Sequence, residues 1–458
     1  MKRITALAAA AALLLAAAQT PAAGSAAAAA ISISPLDATE IQFSYDKLRS
    51  DFYQKTDPQS IVEGARVEMQ HALQTAGVKG TLPPIFANEN VSRTAHAVGH
   101  EVDVAARLAK GKLSSHTLAY AAISGMMSSV HDKYTVFLSP KEYAALNQGL
   151  DGGSFAGTGI VIQADPQTKF IDVSNVVPDG PADKAGIQQD DVITAIDGAS
   201  TKGLTLEQAS SKLRGKAGTQ VQLTIERDGK VLESPIAIVR AEIHQLSVYE
   251  KMLPGKIGYV ELTVFGRDTG DELTRALDRL QQRGARAMVM DLRDNGGGYL
   301  EAALDVSSKF IASGPIVSVE SRASNVTTYE AENTAIAPLP LAVLVNGHTA
   351  SASEITSGAI QDSGVGTIIG TRTFGKGVVQ EILPLPDGSA IKITDARYLT
   401  PHNRDINHLG IAPDITVDEN KGARYGDPTH DMQLARALQF LTDKIAHSGD
   451  TGTQGGGR

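Results

Sequence analysis

Apolar residues recur at helical spacing through the first third of the chain. Residues 41–55, 58–76, 92–110 and 115–131 read as four separable helices; in the last, Leu118, Ala121, Ile123 and Met126 fall near one face. The Gly-rich break Asp151-Gly152-Gly153 closes this region. Beyond it the runs shorten to strand length, at 160–162, 171–176, 221–226 and 231–239. Asp228-Gly229 between the last two is a hairpin signal, and 181–186 and 206–213 read as short helices. From 241 onward the pattern alternates. Strands at 256–262, 287–292 and 341–345 are each followed by a helix, at 268–283, 300–311 and 351–361. Repeated strand-then-helix units predict an α/β core on a central sheet. The stretch from Ser448 is rich in Gly, Ser and Thr and reads as a disordered tail.

These shifts divide the chain into 1–30, a helical region 31–150, a compact mixed unit 151–240, an α/β core 241–420 and a C-terminal helix with its tail at 421–458. Residues 1–30 are set apart by composition. Lys2 and Arg3 precede an apolar run holding Leu13, Leu14 and Leu15, and small residues follow, the pattern of a secretory signal. No later segment has the run of about 18 apolar residues that a membrane-spanning helix needs.

Composition narrows the chemistry. The 458 residues are 42% hydrophobic and 20% charged, as in ordinary globular proteins. There is no cysteine, so thiol nucleophiles and cysteine metal sites are excluded. The formal charge of −9 becomes −11 without Lys2 and Arg3, and no basic stripe is evident, which argues against a nucleic-acid partner.

Three segments carry candidate chemistry. In Val345-Asn-Gly-His-Thr-Ala-Ser351-Ala-Ser-Glu354 a strand gives way to a helix starting near Ser351. Ser351 with Glu354 spells a helix-capping box. The same place suits a nucleophile, because a helix N-terminus favours developing negative charge. A serine hydroxyl needs a base. His348 is close in sequence, but Gly-x-Ser-x-Gly is absent, which excludes the α/β-hydrolase elbow. The other candidate base is Lys376, in Thr373-Phe-Gly-Lys376-Gly377. With Gly370 this nearly spells a phosphate-binding loop, yet Gly377 replaces the required hydroxyl residue and 378–385 reads as strand rather than helix. A lysine fixed between glycines and desolvated by Phe374 and Val378 can serve as general base, with the Gln380 side-chain oxygen holding its amine. The third segment, Asp291-Leu-Arg-Asp-Asn-Gly296-Gly297-Gly298, is either a plain turn or a set of N–H groups; Gly297 or Gly298, with the Ala352 N–H, would then form an oxyanion hole. His96 and His100 lie one helical turn apart but lack the Glu that a zinc-hydrolase motif requires.

Taken together and in this order, these segments resemble the C-terminal (tail-specific) processing peptidases. That family has its nucleophile in a Ser-Ala-Ser-Ala-Ser-Glu-Ile block, its base in Thr-Phe-Gly-Lys-Gly, and a Gln four residues after the Lys. Its Asp-Leu-Arg-x-Asn-x-Gly-Gly block matches Asp291 to Gly298. Gly125-Met126, Asp132-Lys-Tyr-Thr135, Ala396-Arg-Tyr398, Thr400-Pro401 and Gly410-Ile-Ala-Pro-Asp414 match as well, so the resemblance spans about 115–420. His348 and Thr349 stand where Gly and Ser are common, and Lys133 where Pro is common.

The resemblance implies a multidomain α/β (α+β) chain with a helical N-terminal region, an inserted PDZ domain at 151–240 and a ClpP/crotonase-like α/β protease core. It implies a serine endopeptidase with Ser351 as nucleophile, Lys376 as base, Gln380 as its holder, and Gly297 and Ala352 as oxyanion donors. No metal or cofactor is implied. Gly157, Thr158, Gly159 and Ile160 would receive a substrate's terminal carboxylate, and Arg214 is a candidate contact through which the PDZ domain gates the protease. The expected partners are proteins with unstructured apolar C-termini, an adaptor or regulator, and a second copy docked through the N-terminal helices. The expected location is the periplasm of a Gram-negative-type bacterium, free or membrane-associated. The non-enzymatic alternatives are a PDZ scaffold or a small-ligand carrier on the same core.

Overall fold

The computed structural model describes residues 33–450, apart from 151–153, 166–167, 178–179, 245, 323–324 and 421–424. The expected signal at 1–30 and the tail beyond 450 lie outside the described residues.

Four N-terminal helices, Pro35–Asp51, Pro58–Thr75, Val91–Ala109 and Ser115–Ser128, each begin at a residue whose side chain accepts a backbone N–H: Ser34, Asp57, Asn90 and Ser114. The first starts six residues earlier than its apolar pattern suggests, because Ser34 and Pro35 supply the cap and the first helical position. The second and fourth cross closely. A Cβ on Gly64 would come within 2.3 Å of the Gly125 carbonyl oxygen, and one on Gly125 within 2.2 Å of that of Gly64. Ile41, Tyr45, Met69, Val102 and Met126 are fully buried between these helices.

The mixed unit is a seven-stranded antiparallel sheet with helices Pro181–Lys184 and Leu206–Leu213. Asp228 and Gly229 both take positive φ, 51° and 73°, as the expected hairpin turn requires. The chain enters this unit through strand Ser154–Gly157 and leaves through Ala241–His244, and the two pair antiparallel.

In the core, strands Val248–Leu253, Ile257–Leu262, Ala287–Asp291, Leu341–Val345, Thr367–Gly370 and Ile415–Thr416 form one sheet, parallel from the second strand onward. The inner strands are buried throughout, which is why they read as continuous apolar runs. Met288, Met290, Val343 and Val345 pack with helices Thr269–Gln282, Leu300–Ser308 and Ala352–Ser363. Val289, Ala342 and Leu344 pack on the other side against Leu434, Ala437 and Leu441 of helix Met432–Asp450. That helix runs into the stretch expected to be tail.

Of a second, antiparallel sheet the sequence pattern marks only the strand at 378–385. Its long strand Ala390–Leu399 pairs with Val136–Leu138, Pro315–Ser321 and Val378–Pro384. Leu385, Ile391 and Ile393 cap the helical bundle, so the N-terminal helices and this sheet share one apolar cluster. No described helix is long and apolar enough to cross a membrane.

Candidate active site

Three neighbouring parallel strands, Ala287–Asp291, Leu341–Val345 and Thr367–Gly370, end on the same side of the sheet. The segments that follow them, 292–298, 346–351 and 371–376, therefore meet, although they are far apart in sequence. Such a crevice beyond the carboxyl ends of parallel strands is where α/β folds place ligands.

Hydrogen bonds lace the three segments together. The Asn295 carbonyl accepts the Ala350 N–H and the Ser353 hydroxyl, both at 3.0 Å. The Thr349 hydroxyl donates to the Leu292 carbonyl at 2.8 Å, and the Phe374 N–H donates to the Thr349 carbonyl at 3.0 Å.

Ser351 sits where the 346–351 turn enters helix Ala352–Ser363, with φ 59° and ψ −119°. A non-glycine residue in this region is strained and persists only where its surroundings hold it. The holder is Glu354, whose carboxylate is fully buried. It accepts the N–H groups of Ser351 at 2.9 Å, Lys376 at 2.8 Å and Gly375 at 2.8 Å, and the Thr373 hydroxyl at 2.5 Å. One carboxylate thus ties the backbone of Ser351 to the backbone of Lys376. The buried Tyr398 hydroxyl makes a second tie, to the Lys376 carbonyl at 2.6 Å and the Ser351 carbonyl at 3.2 Å. In the sequence Glu354 reads as a capping residue and a member of the family block around Ser351, and Tyr398 stands out only through the family block that contains it.

Lys376 is half-buried. Burial, and next the neighbouring Lys392 ammonium, bring its amine down to about 8. Gln380 follows on strand Val378–Pro384, opposite Thr394, where the pairing skips Asp395. Its amide nitrogen approaches the Val378 carbonyl at 3.3 Å and the Thr394 hydroxyl at 3.5 Å. Among the described residues, no hydrogen bond joins the Lys376 amine to Ser351 or to Gln380.

Gly297 packs directly on the 346–351 turn: a Cβ there would meet Ala352 N and Ser351 Cβ at 2.8 Å. Its own N–H donates to Asn295 Oδ1 at 2.9 Å, whereas the N–H groups of Ala352 and Gly298 have no hydrogen-bond acceptor among the described residues. His348 stands apart. Its exposed ring pairs with Asp294 at 2.9 Å on the outside of the turn.

The remaining expected residues lie in the mixed unit. Thr158 is buried, its carbonyl accepting the Ala182 N–H at 2.8 Å, and Gly159 takes φ 79° with its carbonyl on the Val177 N–H at 2.9 Å. Gly157 ends the incoming strand and Ile160 starts the next, beside helix Leu206–Leu213. Arg214 is exposed at the C-terminal end of that helix. His96 and His100 line a small cavity with Asp103. Among the described residues, no cluster of three His, Asp or Glu side chains is arranged to hold a metal ion.

Residues 256–417 match the model of peptidase family S41, and residues 173–227 match a PDZ domain model. A carboxyl-terminal-processing protease of Picosynechococcus is 36% identical over 342 residues, 74% of this chain and 82% of that protein. One of Synechocystis is 35% identical over 343 residues, 74% of this chain and 80% of that protein. A chloroplastic C-terminal processing peptidase of Tetradesmus obliquus is 35% identical over 327 residues, 68% of this chain and 70% of that protein. Among solved structures, a photosystem II D1 C-terminal processing protease is 28% identical, covering 84% of this chain and 94% of that one at a TM-score of 0.46.

Proposed function

The chain belongs to the carboxyl-terminal-processing serine proteases of peptidase family S41, and from that premise we propose that it cleaves polypeptides at or near their C-terminal tails with a Ser351–Lys376 dyad under control of its PDZ domain. The observation that carries this reading is the double tie between the two residues, through the Glu354 carboxylate and the Tyr398 hydroxyl.

In the proposed mechanism, neutral Lys376 takes the Ser351 hydroxyl proton as the serine oxygen attacks the scissile carbonyl. The negative charge that develops on the carbonyl oxygen is met by the Ala352 N–H at the helix N-terminus and by the Gly297 N–H. Protonated Lys376 then gives its proton to the leaving amine, and an acyl group remains on Ser351. Lys376 next takes a proton from water, which attacks the acyl carbon, and returns it to Ser351. Gln380 orients the amine throughout.

Three contacts of this mechanism are open in the structure. The Lys376 amine has closed neither on Ser351 nor on Gln380, and the Gly297 N–H is held by Asn295. All three support a resting arrangement that an engaged substrate completes. Catalytic hydrogen bonds commonly tighten only in the substrate complex. The PDZ domain supplies that control: the 157–160 loop receives an apolar C-terminus, which adds as a strand alongside Ile160–Ala164. Arg214 passes the signal, so Arg214→Ala loses stimulation by tail peptides; unchanged stimulation removes it from this role. Residues 1–30 direct export to the periplasm, and an adaptor and a second copy of the chain are its proposed partners.

The deciding test is turnover of an unfolded polypeptide ending in apolar residues. Ser351→Ala and Lys376→Ala each lower the rate by roughly 10⁴–10⁶ while remaining folded. A Ser351→Ala variant that turns over normally refutes the dyad.

A further inference from the structure

Lys376 is not the only lysine at its site. Lys392 lies half-buried on strand Ala390–Leu399, opposite Val136, and among the described residues it has no hydrogen bond or ion pair. Lys133 occupies the turn before strand Val136–Leu138, at a position where the family pattern has Pro. Its amine lies 4.8 Å from the centre of the Tyr134 ring and 4.9 Å from that of Phe374. The Lys376 amine lies 4.9 Å from the centre of the same Tyr134 ring. The Lys133 and Lys376 amines therefore lie against the same ring, and Lys392 acts on Lys376 from the long strand.

The turn is held rigidly. Asp132 accepts the Thr135 hydroxyl at 2.7 Å and also the Thr394 hydroxyl, and the Thr394 N–H donates to Thr135 Oγ1 at 3.1 Å. The Asp132 carboxylate is thereby engaged by hydroxyl groups, and no ion pair joins it to Lys133 among the described residues. The charged groups acting on Lys376 are thus Lys392 from the long strand, Asp132 and Lys133 from the turn, and Glu354 from the nucleophile helix. Glu354 spends its oxygens on four backbone and hydroxyl donors. The Tyr398 phenol also packs there and donates to the Lys376 carbonyl.

We propose that Lys133 and Lys392 act through Lys376, as a positive surround that holds its amine in the neutral, proton-accepting form. Lys133 is the adjustable member, since it is exposed and fixed by aromatic faces rather than by a carboxylate. This rests on Lys376 being the general base. The direction agrees with the depressed titration of Lys376, to which burial contributes first and then Lys392; Glu354 and Asp132 act against them, and Lys133 follows with a smaller contribution in the same sense as Lys392.

The test is the pH dependence of kcat/KM between pH 6 and 10, with an unfolded polypeptide ending in apolar residues as substrate. Removing a positive charge raises the Lys376 titration, so the acid limb moves to higher pH. Two charges less than about 10 Å apart near a protein surface interact enough to move that limb by about half a pH unit. Lys133→Met is therefore expected to lose about threefold at pH 7 and nothing at pH 9.5. Lys133→Arg keeps the wild-type limb, and Lys133→Glu moves it about twice as far as Met. Because Lys133 is exposed, the difference between Met and wild type shrinks in 1 M salt. Lys392→Met shifts the limb in the same direction by more.

A loss in Lys133→Met that is equal at every pH means a structural role and overturns the proposal, as does an unmoved limb in both Lys133→Met and Lys133→Glu. Lys376→Ala separates this failure from that of the dyad. If Lys376→Ala is inactive while the Lys133 variants leave the limb in place, only the surround is wrong. If Lys376→Ala retains turnover, the dyad reading itself falls.

Discussion

Glu354→Gln tests whether one carboxylate really joins nucleophile and base. The substitution keeps the volume of a fully buried side chain. It leaves one oxygen to accept the Thr373 hydroxyl and the Gly375 N–H. The other position becomes an NH₂ group facing the Ser351 and Lys376 N–H groups, donor against donor. Each lost hydrogen bond to a charged acceptor is worth about 1.5–3 kcal/mol, so the pair costs about 3–6 kcal/mol. That is a large part of the roughly 5–15 kcal/mol by which a domain is stable. The cheaper escape is local: the 371–376 segment shifts away and takes Lys376 with it. A displacement of about 1 Å at such a site costs on the order of 10²-fold in rate. The expected result is a kcat at least about 100-fold down, a KM within a few-fold of wild type, and a melting temperature lowered by several degrees. Steady-state turnover of an unfolded substrate and thermal melting followed by circular dichroism measure both. A Glu354→Gln enzyme with wild-type kcat and melting temperature refutes the reasoning.

The amine of Lys376, brought down to about 8 by burial and then by Lys392, makes kcat/KM rise about tenfold per pH unit below 8 and level off above it, since the neutral amine is the active form. A flat profile from pH 6 to 9 excludes Lys376 as the titrating base. Tyr398→Phe removes the tie between the Lys376 and Ser351 carbonyls and is expected to lower kcat by about tenfold, as for one lost hydrogen bond of roughly 1–1.5 kcal/mol. A parallel rise in KM instead places Tyr398 in substrate binding.

Much of the fold is legible in the sequence, and the reason is local. The inner parallel strands announce themselves as unbroken apolar runs because both faces are covered. The four N-terminal helices carry their own capping residues. What escapes sequence reading is non-local or unburied. Strand Val136–Leu138 finds its partner in Ala390–Leu399, a pairing that no short window contains. Helix Pro140–Leu150 buries none of its residues, so no apolar stripe marks it. At the site, residue types leave the choice open and the family resemblance points to Ser351 and Lys376, whereas the tie made by Glu354 depends on a loop that folds back from 21 and 22 residues further on. The strain at Ser351 is invisible as well: without flanking glycines the motif does not spell a strained turn, yet the φ of 59° is there. The Gly297 block reads as an oxyanion donor, but only the structure reveals that its N–H is already engaged by Asn295.

The paired strands at the base of the PDZ unit bear on how such a chain can be assembled. Gly157 and Ala241 face each other directly across the ribbon, and cross-strand partners lie only about 4.5–5.5 Å apart. The gap left by excising everything between them is therefore the span of a two-residue hairpin turn. To the rest of the chain, 83 residues and a tight turn look alike at their ends. A module mounted in this way behaves as a cassette. It can be exchanged without moving a strand of the core sheet, and under the proposed function tail preference can then diverge while the chemistry stays fixed.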